Sequence, residues 1–338
     1  MSDGALAALA ATLRALAPRI EPAAVEIVGL QRLSGGASQE TWAFDLVCAD
    51  GSRRSLILRR VPPGDRFGDR VIGPELEARV IKAAVAAGVP APVIRHDLSA
   101  DDNLGRGFIM DRIEGETLAR RVLRDPAFAP ARARFAAEAG EILAQIHAID
   151  GRGIGLRTAT PAGEVANLRA LYAATGQHRP VFDLALGWLD RHQPPVVAPC
   201  LVHGDFRNGN LMFDFEGIRA VLDWEVAHLG DPMEDLGWLC VNSWRFGEID
   251  RPVGGIADRA DLFAAYQRAS GRPVDAAAVH FWEVLSTLRW GLTCAEMVGW
   301  IRRGEDASVE RCMIARRASE TEIDLLRLLL PLGDRDAG

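Results

Sequence analysis

The sequence predicts an α+β chain in two lobes, a β-rich amino-terminal one and a mostly helical carboxy-terminal one. Short β-prone runs crowd the chain before Asp111, helical apolar spacing dominates after Leu118, and no repeat or low-complexity linker interrupts it. With 338 residues, 49% of them hydrophobic and 25% charged, there is apolar material for a large core.

In chain order, Ala5 to Leu16 opens the sequence with Leu6, Leu9, Leu13 and Leu16 at helical spacing. Asp3 and Arg14 argue against a signal peptide and for a short amphipathic helix. Val25–Leu33 and Thr41–Val47 read as strands flanking the turn-rich Ser34-Gly35-Gly36-Ala37-Ser38, and Ser55–Arg59 as a third. Glu75–Ala87 reads as a helix stopped by Gly88 and Pro90. Val93–His96 and Gly107–Met110 complete the strands, and the lobes are expected to meet near Asp111–Gly115. Helices are then predicted over Ala131–Ile149, Glu164–Thr175, Phe182–His192, Met233–Val241, Arg259–Ser270, Ala276–Trp300 and Ser308–Leu330. Strand-like pieces interrupt them at Cys200–His203, Leu211–Phe213 and Arg219–Leu222. In Gly230-Asp231-Pro232, Asp231 reads as an N-cap and Pro232 as the first turn of the helix that follows.

A formal net charge of -7 argues against a nucleic-acid partner. No apolar run reaches the roughly 18 residues of a membrane span. The five cysteines are scattered and odd in number, forming neither a disulfide framework nor a zinc-type pair, which fits a reducing cytoplasm. The histidines show no metal-ligand spacing. Of the 39 basic residues one is lysine, Lys82, which base composition explains.

The strongest motif is Leu201-Val202-His203-Gly204-Asp205-Phe206-Arg207-Asn208-Gly209-Asn210. Its His-x-Asp-x-x-x-x-Asn spacing is that of a kinase catalytic loop: Asp205 would reach an acceptor hydroxyl while Asn210 faces a magnesium ion on the phosphates. An apolar run ending in Asp223-Trp224-Glu225 places a second carboxylate 18 residues after Asp205, and one Asp with one Asn is an apt pair of Mg²⁺ ligands. A lone Asp and Asn in a loop is more often a turn former, but the strand-borne Asp223 that follows tells against that. His203 reads as a brace for the loop, His147 as a core residue, and Asp235 as an anchor from below.

On these residues the chain resembles the aminoglycoside phosphotransferase-like kinases, relatives of choline and fructosamine kinases with a protein-kinase-like fold. The nearest likeness is to the kinase domains found with acyl-CoA dehydrogenases, and it runs from Leu33 to the C-terminal helices. The resemblance implies an ATP-dependent small-molecule kinase using Mg²⁺, with a nucleotide-binding lobe over 1–111 and a catalytic, substrate-binding lobe over 112–338. It implies Asp205 as base and Asn210 and Asp223 as Mg²⁺ ligands. Ser34, Gly35, Gly36, Ala37 and Ser38 would form the phosphate-covering hairpin. Arg59 stands where these kinases normally carry a lysine, and its planar fork can still bind phosphate. Its helix partner would be Glu77, with Glu75 a competitor. Phe108 to Gly115, including Met110 and Arg112, resembles the hinge that meets adenine.

The acceptor expected is a hydroxylated compound with an apolar part, an acyl thioester included. Phe281, Trp282, Trp290, Met297 and Trp300 with Arg289 would suit it. An aminoglycoside or amino-alcohol kinase is the alternative, and a pseudokinase scaffold a further one. Asp235 follows Asp223 at a distance of twelve positions, which leaves no room for a protein-kinase activation segment. Self-association into a homodimer is left open.

Overall fold

A computed structural model describes residues 3–33, 39–61, 71–306 and 308–330. Helix α1 (Asp3–Ile20) is followed by strands β1 (Ala24–Arg32), β2 (Glu40–Cys48) and β3 (Arg53–Val61), helix α2 (Pro74–Ala86), and strands β4 (Ile94–Asp97) and β5 (Arg106–Asp111). The strands form one antiparallel sheet in the order β1-β2-β3-β5-β4.

Period-2 alternation divides that sheet into two faces. Trp42, Phe44, Leu46, Leu56, Leu58 and Ile109 bury themselves with Leu9, Leu13 and Leu16 of α1. The intervening Thr41, Ala43, Ile57, Arg59, Phe108 and Met110 line a cavity on the opposite face. Beside that cavity α2 buries Glu77, Ala78, Val80, Ile81 and Ala84. The amphipathic reading of the first helix therefore holds, over a longer span than Ala5 to Leu16.

Beyond β5 the chain is mostly helical: α3 (Ala119–Arg124), α4 (Ala129–Ala148), α5 (Pro161–Thr175) and α6 (Pro180–Arg191) lead to the short strands β6 (Cys200–Val202), β7 (Leu211–Phe213), β8 (Ile218–Val221) and β9 (His228–Gly230). Helices α7 (Met233–Cys240), α8 (Arg259–Ser270), α9 (Ala276–Arg303), α10 (Val309–Ala315) and α11 (Ala318–Leu329) complete it. The Asp275 side chain caps α9 by accepting from the N–H groups of Ala277 and Ala278, at 2.9 and 3.2 Å. Phe281, Trp282, Leu285, Leu288 and Leu292 of α9 are fully buried, making it the axis of the core.

The α+β architecture is the one the sequence predicts. Three elements differ, the first being α3, which was not among the expected helices. β9, not foreseen, pairs with β6, and its three residues are all buried and too few to show alternation. The helix expected over Ser308–Leu330 is two helices broken at Arg316–Arg317, which lets Ala318 and Leu325 turn into the core. Among the described residues, no helix is long and apolar enough to cross a membrane.

Candidate active site

The sequence motifs converge because two short antiparallel strand pairs hold them. β6, paired with β9, delivers the chain to His203; β7 and β8 then pair with Leu211 opposite Val221. One step further, the Leu222 N–H donates to the Asn210 carbonyl at 2.8 Å, so Asn210 lies beside Asp223. Asp223 has φ 65°, a left-handed conformation that L residues seldom adopt and that clusters at functional sites.

His203 braces the loop as expected. Its Nδ1 accepts the Asp205 N–H at 3.1 Å, which leaves Nε2 to donate to the Leu222 carbonyl at 3.1 Å. Burial lowers its pKa, in keeping with a neutral ring that serves as a strut. Asp235 anchors the loop from below, accepting the N–H groups of His203 and Gly204 at 2.9 Å each. His147, buried as expected, meets Asp235 Oδ2 through Nε2 at 3.1 Å. Gly204 sits at φ 79°, and a Cβ there would come within 2.9 Å of the Val226 carbonyl.

The Asp205 carboxylate accepts three hydrogen bonds. Oδ1 takes Arg207 Nε at 2.7 Å and the indole N–H of Trp238 at 2.8 Å; Oδ2 takes Asn210 Nδ2 at 2.6 Å. Burial raises its pKa, and Arg207 opposes the rise. That setting suits a proton acceptor better than a solvated carboxylate would.

On the sheet side, Arg59 gathers three carboxylates. Nη1 meets Glu77 Oε1 at 3.1 Å, and Nη2 meets Asp223 Oδ1 at 2.6 Å and Glu225 Oε2 at 2.9 Å. Glu77, fully buried, is steadied by Gln39 at 2.8 Å; burial pushes its carboxyl up to about 7 against the pull of Arg59. Glu75 instead pairs with Arg106 at 2.6 Å. Lys82 pairs with Asp97 on the surface.

Two cavities meet this constellation. One of 440 Å³ is lined by Ala43, Ile57, Arg59, Ile81, Phe108, Met110, Arg112, Ile113, Asn210, Met212 and Asp223, an apolar slot ending in polar groups. The N–H groups of Asp111 and Arg112 are spent on Val93 and Ser55, at 2.9 Å each. Arg112 also pairs with Glu114 at 2.6 Å. The hairpin Ser34–Ser38 lies outside the described residues. The second cavity, 620 Å³, reaches Asp205 from the other side and is lined by Arg157, Glu164, Arg207, Trp238, Trp244, Arg289 and Trp290 among others.

Asn210 and Asp223 fit the Mg²⁺ role in kind: an amide oxygen and a carboxylate border the same slot, both hard oxygen donors. Among the described residues no cluster of three or more His, Cys, Asp and Glu could hold a metal. A cation here would thus complete its shell from phosphate and water.

The profile of the phosphotransferase enzyme family, APH, matches residues 29–272. The chain belongs to this family. The enzyme class read from the sequence, a small-molecule phosphotransferase, is that of the APH family. A mouse (Mus musculus) relative, acyl-CoA dehydrogenase family member 10, is 33% identical over 200 residues, 56% of this chain and 18% of the relative. Acyl-CoA dehydrogenase family member 11 of Gallus gallus is 27% identical over 83% of this chain and 37% of its own length. The chain thus spans well under half the length of these relatives. In solved structures, a Ralstonia eutropha protein provisionally described as an aminoglycoside phosphotransferase superposes with TM-score 0.72 at 23% identity, covering 94% of this chain and 97% of that one. Aminoglycoside phosphotransferase APH(4)-Ia, solved with AMP-PNP and hygromycin B, gives 0.58 at 16%, covering 95% and 99%. The APH-type fold is thereby shared.

Some sequence readings need correction. Phe281 and Trp282 do not face the acceptor side: both are fully buried, Trp282 donating to Asp231 Oδ2 at 3.0 Å. Met297 is likewise buried, and Trp300 stacks under Arg311. Arg289 and Trp290 do line the 620 Å³ cavity that reaches Asp205. Aromatics at helical spacing do not reveal which stripe faces a cleft. Sequence reasoning also gave no role to Arg207 or Trp238, although Arg207 lies inside the motif and Trp238 one helical turn past Asp235.

Proposed function

We propose that this chain transfers the γ-phosphate of ATP to a hydroxyl of a small molecule by direct in-line displacement. The convergence of Asp205, Asn210 and Asp223 between a nucleotide-sized slot and a second cavity carries the reading. Residues 1–111 act as the nucleotide lobe, and 112–338 carry the catalytic loop and acceptor side.

Adenine enters between Ile57, Phe108 and Met110, its edge bonding main chain from Ile113 onward, because the N–H groups before it are taken. Arg59 and residues 34–38 hold the phosphates, Arg59 turning part of its fork from Asp223 and Glu225 while keeping Glu77. Asn210 and Asp223 would hold Mg²⁺, which would supply positive charge beside the phosphates. Asp205 orients the acceptor hydroxyl and takes its proton as the oxygen bonds the γ-phosphorus and the bridge to the β-phosphate breaks, releasing ADP.

The acceptor is a hydroxyl compound with an apolar body and a polar or anionic end, an acyl thioester among the candidates. Three arginines and three tryptophans line the acceptor cavity, against the acids Glu164 and Asp205. A polycationic aminoglycoside would want the reverse balance.

Labelled Mg·ATP with purified protein, screened against hydroxylated acyl compounds, amino alcohols, sugars and aminoglycosides, tests this. Transfer to an apolar hydroxyl compound is expected. Transfer to aminoglycosides alone would overturn the acceptor class; no transfer, with no Mg²⁺-dependent nucleotide binding, would overturn the kinase reading.

A further inference from the structure

We propose that Trp238 is a positioning residue for the base, its indole N–H fixing Oδ1 of Asp205 so that Oδ2 is the atom that receives the acceptor's proton. The role rests on the kinase reading of Asp205, but the contact itself can be measured without turnover.

The asymmetry of the carboxylate is the first support. Oδ1 is filled by two donors, Arg207 Nε at 2.7 Å and Trp238 Nε1 at 2.8 Å, whereas Oδ2 takes one, from Asn210. A carboxylate oxygen has about two lone-pair sites, so Oδ2 keeps one to offer. With Oδ1 pinned from two directions, the carboxyl plane is set.

The frame behind Trp238 is the second. Asp235 and Trp238 are three residues apart on α7 and share a face. Asp235 holds the loop's backbone through His203 and Gly204, and Trp238 holds its reacting side chain. One helical turn therefore sets both the path of the loop and the aim of its carboxylate. The helix itself cannot drift. Gly237 lies so near α9 that a Cβ would come within 2.8 Å of both the Glu283 nitrogen and the Trp282 Cβ. Arg289, reaching from α9, sits 5.8 Å from the centre of the Trp238 ring and is itself tied to Glu164 and Glu234.

The third support separates Trp238 from its neighbours. Trp238, Trp244 and Trp290 line the same cavity with rings 5.3 and 5.1 Å apart in succession. The buried indole nitrogens of Trp244 and Trp290 have no hydrogen-bond partner, so packing alone does not supply one at this wall. The Trp238 N–H is the one of the three spent on the base.

The test uses the whole chain, ¹⁵N-labelled, at one fixed pH. The Trp238 indole resonance, one of eight, is assigned by its loss in Trp238→Phe. It is expected downfield of its seven companions and displaced on Asp205→Ala; a resonance indifferent to that change, assigned by through-bond correlation where Trp238→Phe does not fold, would overturn the proposal. The kinetic arm follows Mg·ATP hydrolysis, with water as the acceptor. Trp238→Phe is expected to slow turnover by about 10- to 100-fold, the scale of a mis-aimed catalytic group, with Mg·ATP affinity unchanged. Wild-type turnover in Trp238→Phe would overturn the positioning role even if the contact is found. If wild type turns over no ATP, the kinase reading suffers, and the resonance decides the contact by itself.

Discussion

Arg59 shows how one side chain ties the two lobes. Its guanidinium sits among Glu77, Asp223 and Glu225, taking the place where a lysine is usual in such kinases. A planar fork with several donors can serve three acceptors at once, which a compact ammonium does less well. Arg59→Ala is predicted to raise the KM for ATP by roughly 10- to 100-fold, the effect of a lost charge-assisted hydrogen bond of about 1.5–3 kcal/mol. Arg59→Lys should keep much of the activity. Equal ATP kinetics in wild type and Arg59→Ala would move the phosphate anchor elsewhere. At the proposed metal ligands, Asp223→Ala is expected to weaken Mg²⁺-dependent nucleotide binding more than Asn210→Ala, because it removes a formal charge. Titrations of Mg·ATP that show no change in either variant would refute the pair. Which of Glu75 and Glu77 meets Arg59 was not legible in the sequence. Two residues apart on one helix they face different ways, and only the angle of α2 against β3 decides.

At the scale of elements, α7 concentrates the polar burden of the fold. All eight of its residues are buried, Glu234 and Asp235 included. Removing Asp235 would strand the His203 and Gly204 N–H groups and His147 together, so Asp235→Ala should cost about 3–5 kcal/mol in urea unfolding; a loss under about 1 kcal/mol would contradict its role as anchor. At Glu234 burial works to raise the carboxyl, but His228 and Arg289 outweigh it and hold it down to about 2, against an ordinary 4.5. The unfolded chain protonates near 4.5 and the folded one near 2, so this contribution is whole above pH 4.5 and is lost as the pH falls towards 2. It amounts to about 3 kcal/mol. Stability of Glu234→Gln should therefore fall less steeply than wild type across that window, and parallel curves would rule the mechanism out. The larger elements were legible because their periodicity is a direct record of burial: alternation in β2 and β3, leucine spacing in α1. Three-residue strands such as β9 carry no such record. Nor does a sequence state hairpin register, which is what sets Asn210 beside Asp223. The aromatic stripe of α9 was misread for a related reason, since a helix buried on most sides has no marked face.

At the scale of the whole molecule, a sheet-bearing lobe and a helical lobe flank the proposed nucleotide slot, with the proposed acceptor cavity on the far side of Asp205. The triplet Asp205, Asn210 and Asp223 was legible as a motif with spacing, and so were His203 and Asp235 as its supports; Arg207 and Trp238 were not, since the Arg207 contact depends on how its side chain turns and the Trp238 contact spans 33 residues of chain. A ligand that binds the folded state alone stabilises it, so saturating Mg·ATP at about a hundred times its dissociation constant should add about 2.7 kcal/mol. The central claim is that Asp205 is the base of phosphoryl transfer, and the most direct measurement compares wild type with Asp205→Asn at equal Mg·ATP saturation and with the acceptor that the screen identifies. Nucleotide affinity should be unchanged and the transfer rate lower by roughly 10²–10⁴; transfer by Asp205→Asn at near the wild-type rate would mean that Asp205 is not the base.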